Sequence, residues 1–274
     1  MLVPFEFDDV DSSVYGLYLC HFDGSNDGVK TLGNEIEIKT VKSPKGNRFI
    51  RTGSTYETPL TFSFQVVKYD CKYGVSEIGA RELARILRWL VRKEYHYLRF
   101  EQNGWDNVYY NCTLKVQKYE AAGKILGLEI EVSCDAPWGY SERKEYHLDF
   151  SDKNEYMVYN YSDEDGGILP DLVKIQCNEN CNLMIRNTFS IRNDENNKKI
   201  NTTTIANCKN GEIIQFDRHK NIYSSFNHEG LLNDFNFVFF ELFSDLYNSE
   251  NKIYSNSNCK MSIFYREIRK GVVV

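Results

Sequence analysis

No run in this sequence is long and apolar enough to cross a bilayer. The longest strongly apolar stretch, Phe235 to Phe243, is interrupted by Asn236 and Glu241 and falls far short of about 20 residues. A basic excess is missing as well. Residues 1–150 carry 19 Lys/Arg against 22 Asp/Glu, and residues 151–274 carry 14 against 17. Neither half offers the positive surface that sequence-independent nucleic-acid binding requires. The acidic start Met1–Asp9 has no basic segment followed by an apolar one, so no secretory signal is read there and a cytosolic origin is expected. The fingerprints GxxxxGK[ST], GxGxxG and GxSxG do not occur, which removes the usual phosphate cradles and the hydrolase elbow. His228-Glu229 begins a zinc-peptidase motif, but Asn233 stands where the second histidine must be. Histidines number only five, and adjacent Cys20-His21 would point to opposite faces of a strand. No cofactor and no catalytic residue is expected, and the chain reads as a non-enzyme.

Hydrophobic residues at 42% and aromatics at 14% are ample for packed cores. A length of 274 residues favours two domains. The expected fold class is mainly β, with an α+β first domain over 1–148 and an antiparallel β-sandwich over 149–274. In the first half, Val14–Phe22 reads as a strand ended by the turn cluster Asp23–Gly28. Glu35–Val41 alternates polar and apolar, Ser43–Asn47 is turn chemistry, and Arg48–Thr52 can return antiparallel as a long hairpin. Thr55–Lys68 places Leu60, Phe62, Phe64 and Val66 on one face of an extended run. From an N-cap at Ser76, Leu83, Ile86, Leu87 and Leu90 predict an amphipathic helix of about four turns. Arg81, Arg85, Arg88 and Arg92 lie on another face, either solvated with partners such as Glu82 or set against another subunit. Tyr95–Phe100, Val108–Tyr119 and Ile125–Cys134 follow as strands, and Asp135-Ala136-Pro137 stops the pairing.

The second half is rich in Asn, Asp and Ser. Its strand candidates are Glu155–Tyr161, Leu172–Cys177, Asn182–Ile185, Phe189–Arg192, Thr203–Asn207, Glu212–Asp217, Asn236–Phe240 and Met261–Arg266. Short strands without a convincing helix suit a sandwich. Eight scattered cysteines without a secretory signal read as reduced thiols, with Cys112 and Cys134 as small buried hydrophobes. Cys177 and Cys181 form a CxxxC that Cys208 and Cys259 can complete as a zinc site or a disulfide. The alternative is a turn flanked by free thiols. The second-half aromatics fill a core or include a saccharide-stacking ring.

Several elements stand in a telling order: Phe5–Ser13, the Gly16–Gly24 strand and turn, and Pro59–Gln65. They are followed by the helix with Arg88-Trp89-Leu90, Tyr95–Leu98, and Cys134-Asp135-Ala136-Pro137-Trp138. Together they resemble the N-terminal domain of phage distal tail proteins. The second half resembles the family by pattern: a sandwich, galectin-like or carbohydrate-module-like, with a late Phe235–Phe243 segment and a closing Phe264-Tyr265-Arg266. The family's closing strand has a proline after that arginine, and here Glu267 follows. The resemblance implies a structural virion protein whose first domains close a homohexameric ring at the tail tip. The ring would join the tail tube to tail-tip, lysin or receptor-binding proteins and would be assembled in the host bacterial cytoplasm. Glu35, Ile36, Ile38, Lys42, Lys45 and Arg48 on the hairpin would form a belt between subunits, with Arg81, Arg85 and Arg88 as further interface candidates. Asp135, Pro137 and Trp138 would mark the domain boundary. The rival reading is a carbohydrate-binding protein that grips host cell-wall glycan through its sandwich.

Overall fold

The computed structural model describes residues 2–22, 33–44, 46–101 and 107–271. Packing divides the chain into two compact units, Met1–Ser141 with Arg269–Val274 and Glu142–Ile268. The boundary expected at 148/149 therefore moves to 141/142. The cause is Lys144–Asp149, a strand that pairs along its whole length with Cys259–Tyr265 of the second unit.

The first unit is built on an antiparallel path of seven strands. In order they are Val10–Asp11, Phe5–Phe7, His96–Phe100, Tyr109–Ala121, Lys124–Cys134, Thr61–Asp70 and Leu17–Cys20. The strand expected from Val14 begins only at Leu17, because Ser12–Tyr15 is a 3-10 turn. Asp11 caps that turn by accepting from the Ser13 amide at 2.6 Å, and Gly16 ends it at φ 65°. The Ser12 hydroxyl then fixes the corner, accepting from Phe5 N at 3.0 Å and donating to Leu17 O at 2.8 Å. Of the extended run expected over Thr55–Lys68, the strand proper is Thr61–Asp70, and the expected face holds: Leu60, Phe64 and Val66 are buried beside Leu128, Ile130 and Val132, with Phe62 half-buried against them.

The helix runs over Ala80–Leu90, shorter than expected, and its N-cap is Gly79 without a side-chain cap. Ser76 does not cap it, because its amide donates to Lys68 O at 3.0 Å and so extends the strand pairing of Gly74–Val75. The helix buries Ile86, Trp89 and Leu90. Trp89 is the anchor: its indole N–H donates to Phe7 O at 2.9 Å, and its ring stacks between Phe5 at 5.7 Å and Tyr15 at 4.9 Å. Cys112 and Cys134 are cross-strand partners in the same core, and burial pushes the Cys134 thiol up to about 12.

The second unit is an antiparallel sandwich. One sheet has the order Lys144–Asp149, Cys259–Tyr265, Leu172–Cys177, Ile213–Asp217, Ile222–Ser224, and the other Glu155–Tyr159, Glu250–Ser255, Cys181–Ser190, Lys198–Cys208. Ile175, Ile214, Met261 and Ile263 from the first meet Leu183, Ile185, Ile205 and Ile253 from the second in one core. The two candidates Asn182–Ile185 and Phe189–Arg192 are parts of a single strand that ends at Ser190. Asn236–Phe240 is not a strand. It is an irregular crossing whose polar backbone is held by side-chain amides: Asn201 Nδ2 donates to Phe239 O at 2.9 Å, and Asn187 Nδ2 to Glu241 O at 2.7 Å. Asn251 grips Phe243 twice, accepting from its N–H at 2.7 Å and donating to its C=O at 2.8 Å. The asparagine richness is thus spent on buried amide–backbone pairs, which meet the need to satisfy every buried polar group. Glu267, where the family pattern has proline, is fully buried; it takes Lys144 Nζ at 2.6 Å and the Tyr161 amide at 3.0 Å.

Candidate functional site

The strand pair Glu37–Lys42 and Phe49–Thr55 stands apart from every other sheet described. Its loop closes by Ser43 N donating to Arg48 O at 2.9 Å, as the turn residues predict. The register slips between Lys39 and Thr40, leaving Thr52 unpaired across the ladder; its hydroxyl donates to Lys39 O at 3.1 Å. Such a bulge bends and twists a hairpin. Both faces are open: Ile38, Val41, Phe49 and Ile50 are 59%, 57%, 68% and 57% exposed. A lone two-stranded hairpin is marginal in water, and apolar side chains left open on both its faces mark an interaction site.

The predicted belt residues fall on this feature. Glu35 and Ile36 lead into it, Ile38 and Lys42 lie on its first strand, and Arg48 sits in its loop, all exposed. Lys45 lies outside the described residues. Glu37 carries a carboxyl raised above its ordinary value, chiefly by its hydrogen bond with Glu57.

Arg81, Arg85 and Arg88 are exposed on the helix and form no ion pair among the described residues. Glu82, the expected local partner, is taken by Lys68 at 2.5 Å. Arg92 leaves the stripe, pairing with Asp8 at 3.4 Å and donating to Trp89 O at 3.1 Å. Asp135 accepts from Asn111 Nδ2 at 2.6 Å, Ala136 O accepts from Leu60 N at 2.9 Å, and Trp138 meets Tyr56 edge-on at 5.4 Å. Gly139 follows where a Cβ would sit 2.9 Å from both Val108 and Tyr110. The Asp-Ala-Pro-Trp segment therefore anchors the end of Lys124–Cys134 within the first unit, and the division between units comes just after it.

The second unit contains a charged cluster that sequence spacing did not reveal. His228 is nearly buried, with Nδ1 2.7 Å from Glu212 and Nε2 3.0 Å from Asp234. The Ser224 hydroxyl donates to Glu212 at 2.6 Å, and Asn207 donates to Asp234 at 3.1 Å. Burial opposes the imidazolium, yet hydrogen bonds to Asp234 and Glu212 outweigh it and raise the histidine above its ordinary 6.5. Both ring nitrogens face carboxylates, so neither is free to take a proton from a serine or thiol as a general base must. The arrangement is a structural clamp tying the short helix Leu231–Asp234 to the sandwich. Among the described residues no group of three His, Cys, Asp or Glu side chains is placed to hold a metal ion, and no helix is long and apolar enough to cross a membrane.

Two family models meet this chain end to end: a phage tail protein N-terminal domain over residues 1–136 and a phage tail C-terminal domain over residues 138–265. The chain belongs to this phage tail protein family. Their junction at 136/138 falls in the Asp-Ala-Pro-Trp segment. Among solved structures, the fold is similar to the SPP1 Dit protein, described as a paradigm of the hub adsorption apparatus in phages infecting Gram-positive hosts. The TM-score is 0.61 at 9% identity, covering 97% of this chain and 99% of that one. The phage P2 baseplate structure, in its activated conformation with Ca, aligns with a TM-score of 0.47 and 9% identity over 97% of this chain and 98% of that one. No curated protein sequence matches the chain significantly. The family models thus make this a phage tail protein, and the likeness to the SPP1 Dit structure is one of fold, mainly β throughout.

Proposed function

We propose that this tail protein is a distal tail protein, six copies of which close a ring that joins the tail tube to the tail-tip, receptor-binding or lysin proteins of a long-tailed phage or tail-like particle. Its place would be the tail tip of the virion, after assembly in the bacterial cytoplasm. The observation that carries this reading is the hairpin Glu37–Thr55, whose Ile38, Val41, Phe49 and Ile50 are open to solvent on a strand pair with no core beneath it. A neighbouring copy that covers those side chains with a different surface supplies the missing core, and such a head-to-tail contact repeated by rotation closes a ring. Arg81, Arg85 and Arg88, exposed and without an ion pair among the described residues, suit a polar rim of such an interface. Deleting Val41–Gly46 tests this: the oligomer should be lost while the circular dichroism of the folded units stays. Unchanged assembly, or unfolding of the units, would remove the belt role.

A second reading, glycan binding by the second unit, is favoured by a groove of about 310 Å³ bounded by Tyr161, Asp163, Asp165, Tyr247 and Asn248. Tyr161 and Tyr247 are 56% and 60% exposed there, and an open ring beside carboxylates and amides suits a sugar. A monomer that binds purified wall polysaccharide, with binding lost in Tyr161→Ala, would favour this reading over the ring.

A further inference from the structure

The hairpin of Glu37–Lys42 and Phe49–Thr55 is charged unevenly along its length. From residue 39 to residue 51 the sequence has five Lys/Arg and no acid, in a chain whose net charge is −6. The legs on either side, 33–38 and 52–60, hold Glu35, Glu37 and Glu57 and no Lys or Arg. Asn34 Nδ2 donates to Thr58 O at 2.5 Å, which ties the two legs together and gathers the three glutamates at one end. These glutamates are exposed, as are Lys42, Arg48 and Arg51 towards the tip. Lys42 and Arg48 form no ion pair among the described residues. At about 3.3 Å per residue, Lys42 stands about 20 Å along the strand from Glu35. That exceeds the Debye length of about 8 Å at physiological salt, so the base does not neutralise its own tip. The register sets Lys42 opposite Phe49 and Arg51 opposite Thr40 on one face, and Val41 opposite Ile50 on the other. Whatever covers the tip must therefore be apolar at its centre and acidic around it.

We propose that the basic tip of each hairpin lies against the acidic base of the hairpin on the next copy of this chain, so that the hairpins run tip to base around the ring. The idea rests on the ring reading and names the surface that covers the hairpin. Tip and base are different surfaces, as a head-to-tail contact requires. The tip presents Lys42, Arg48 and Arg51 around Val41, Phe49 and Ile50, and the base answers with Glu35, Glu37 and Glu57 around the exposed Ile36 and Ile38. Their contact removes apolar side chains from water and supplies Lys42 and Arg48 with carboxylates. Tip against tip sets cation on cation, and base against base sets acid on acid, so charge also fixes the direction in which copies follow one another. The bulge at Lys39 and Thr40 bends the hairpin, which suits a path that curves from one copy to the next.

The test uses three forms of the full chain: the native one, a tip-reversed variant (Lys42→Glu with Arg48→Glu) and a base-reversed variant (Glu35→Lys with Glu57→Lys). All four positions are exposed, and circular dichroism checks that each variant folds. Mass is followed by light scattering through a dilution series. Each variant alone should dissociate at a protein concentration roughly tenfold or more above that of the native chain. An equal mixture of the two variants should assemble again, because each reversed tip then meets a reversed base and each native tip a native base. Variants that assemble like the native chain, or a mixture that does not recover, would overturn the tip-to-base contact and leave the ring standing. A native chain that stays at 32.1 kDa at every concentration would remove the ring and this contact together. Native-like assembly of the tip-reversed variant, with loss of binding to phosphatidylglycerol vesicles that the native chain binds, would give the cations to a lipid surface instead.

Discussion

Asn251 is the residue whose loss should cost the second unit most per atom changed. It is fully buried, and its amide is paired on both sides. Oδ1 accepts from Phe243 N at 2.7 Å and from Asn187 Nδ2 at 2.8 Å, while Nδ2 donates to Phe243 O at 2.8 Å and to Ser249 O at 3.1 Å. Asn251→Leu keeps the volume and removes all four bonds. Asn187 retains Glu241 O at 2.7 Å, so the chief orphans are the N–H and C=O of Phe243. Each buried orphan costs about 1–3 kcal/mol, and the added apolar surface returns about 1 kcal/mol. The expected loss is therefore about 3 kcal/mol, a large share of the roughly 5–15 kcal/mol that stabilises a domain. Urea unfolding with two probes reads it. All three tryptophans, at 89, 105 and 138, belong to the first unit, so their fluorescence follows that unit while circular dichroism follows both. The variant should bring the second-unit transition to lower urea and leave the fluorescence midpoint in place. A change below about 0.5 kcal/mol would refute the amide-clamp reasoning, because it would mean the crossing satisfies its backbone without Asn251.

Other expectations follow the same physics. At Gly127 a Cβ would strike the Val66 carbonyl and the Phe22 ring, which is itself stacked on Tyr119 at 3.8 Å. Backbone cannot yield there, so Gly127→Ala should lower first-unit stability by about 3 kcal/mol, read by the tryptophan transition. The His228 clamp predicts a pH window. The histidine is raised, so its stabilising effect is full below its ordinary 6.5 and is lost as pH rises through the higher folded value. Glu212 and Asp234 are lowered, so theirs is present above their ordinary 4.5 and 3.8 and fades as acid passes their folded values. Second-unit thermal stability should therefore fall as pH rises above the ordinary 6.5 and through the higher folded value, and His228→Gln should flatten that fall; an unchanged slope would mean the histidine is not held charged.

Strands with strict alternation were legible in sequence. Leu172–Cys177 has the expected bounds, and Lys124–Cys134 pairs with both neighbours along its apolar face. The hairpin was legible through its turn residues, and the helix through the spacing of Leu83, Ile86 and Leu90. What escaped was set by partners distant in the chain. Lys144–Asp149 is too charged to read as a strand, and it pairs only because Cys259–Tyr265 offers an edge. Asn236–Phe240 has the composition of a strand, but Asn201 takes the carbonyl of Phe239 and Asn187 that of the adjoining Glu241. The arginine stripe was visible in the spacing, whereas the diversion of Glu82 to Lys68 was not. Glu212, His228 and Asp234 share no local pattern, so only folding brings them together.

The ring is tested most directly by the mass of the purified full chain in solution. Light scattering coupled to size exclusion should give six times the 32.1 kDa chain, about 190 kDa, at dilute protein and without any ligand. A particle of 32.1 kDa under those conditions would contradict it.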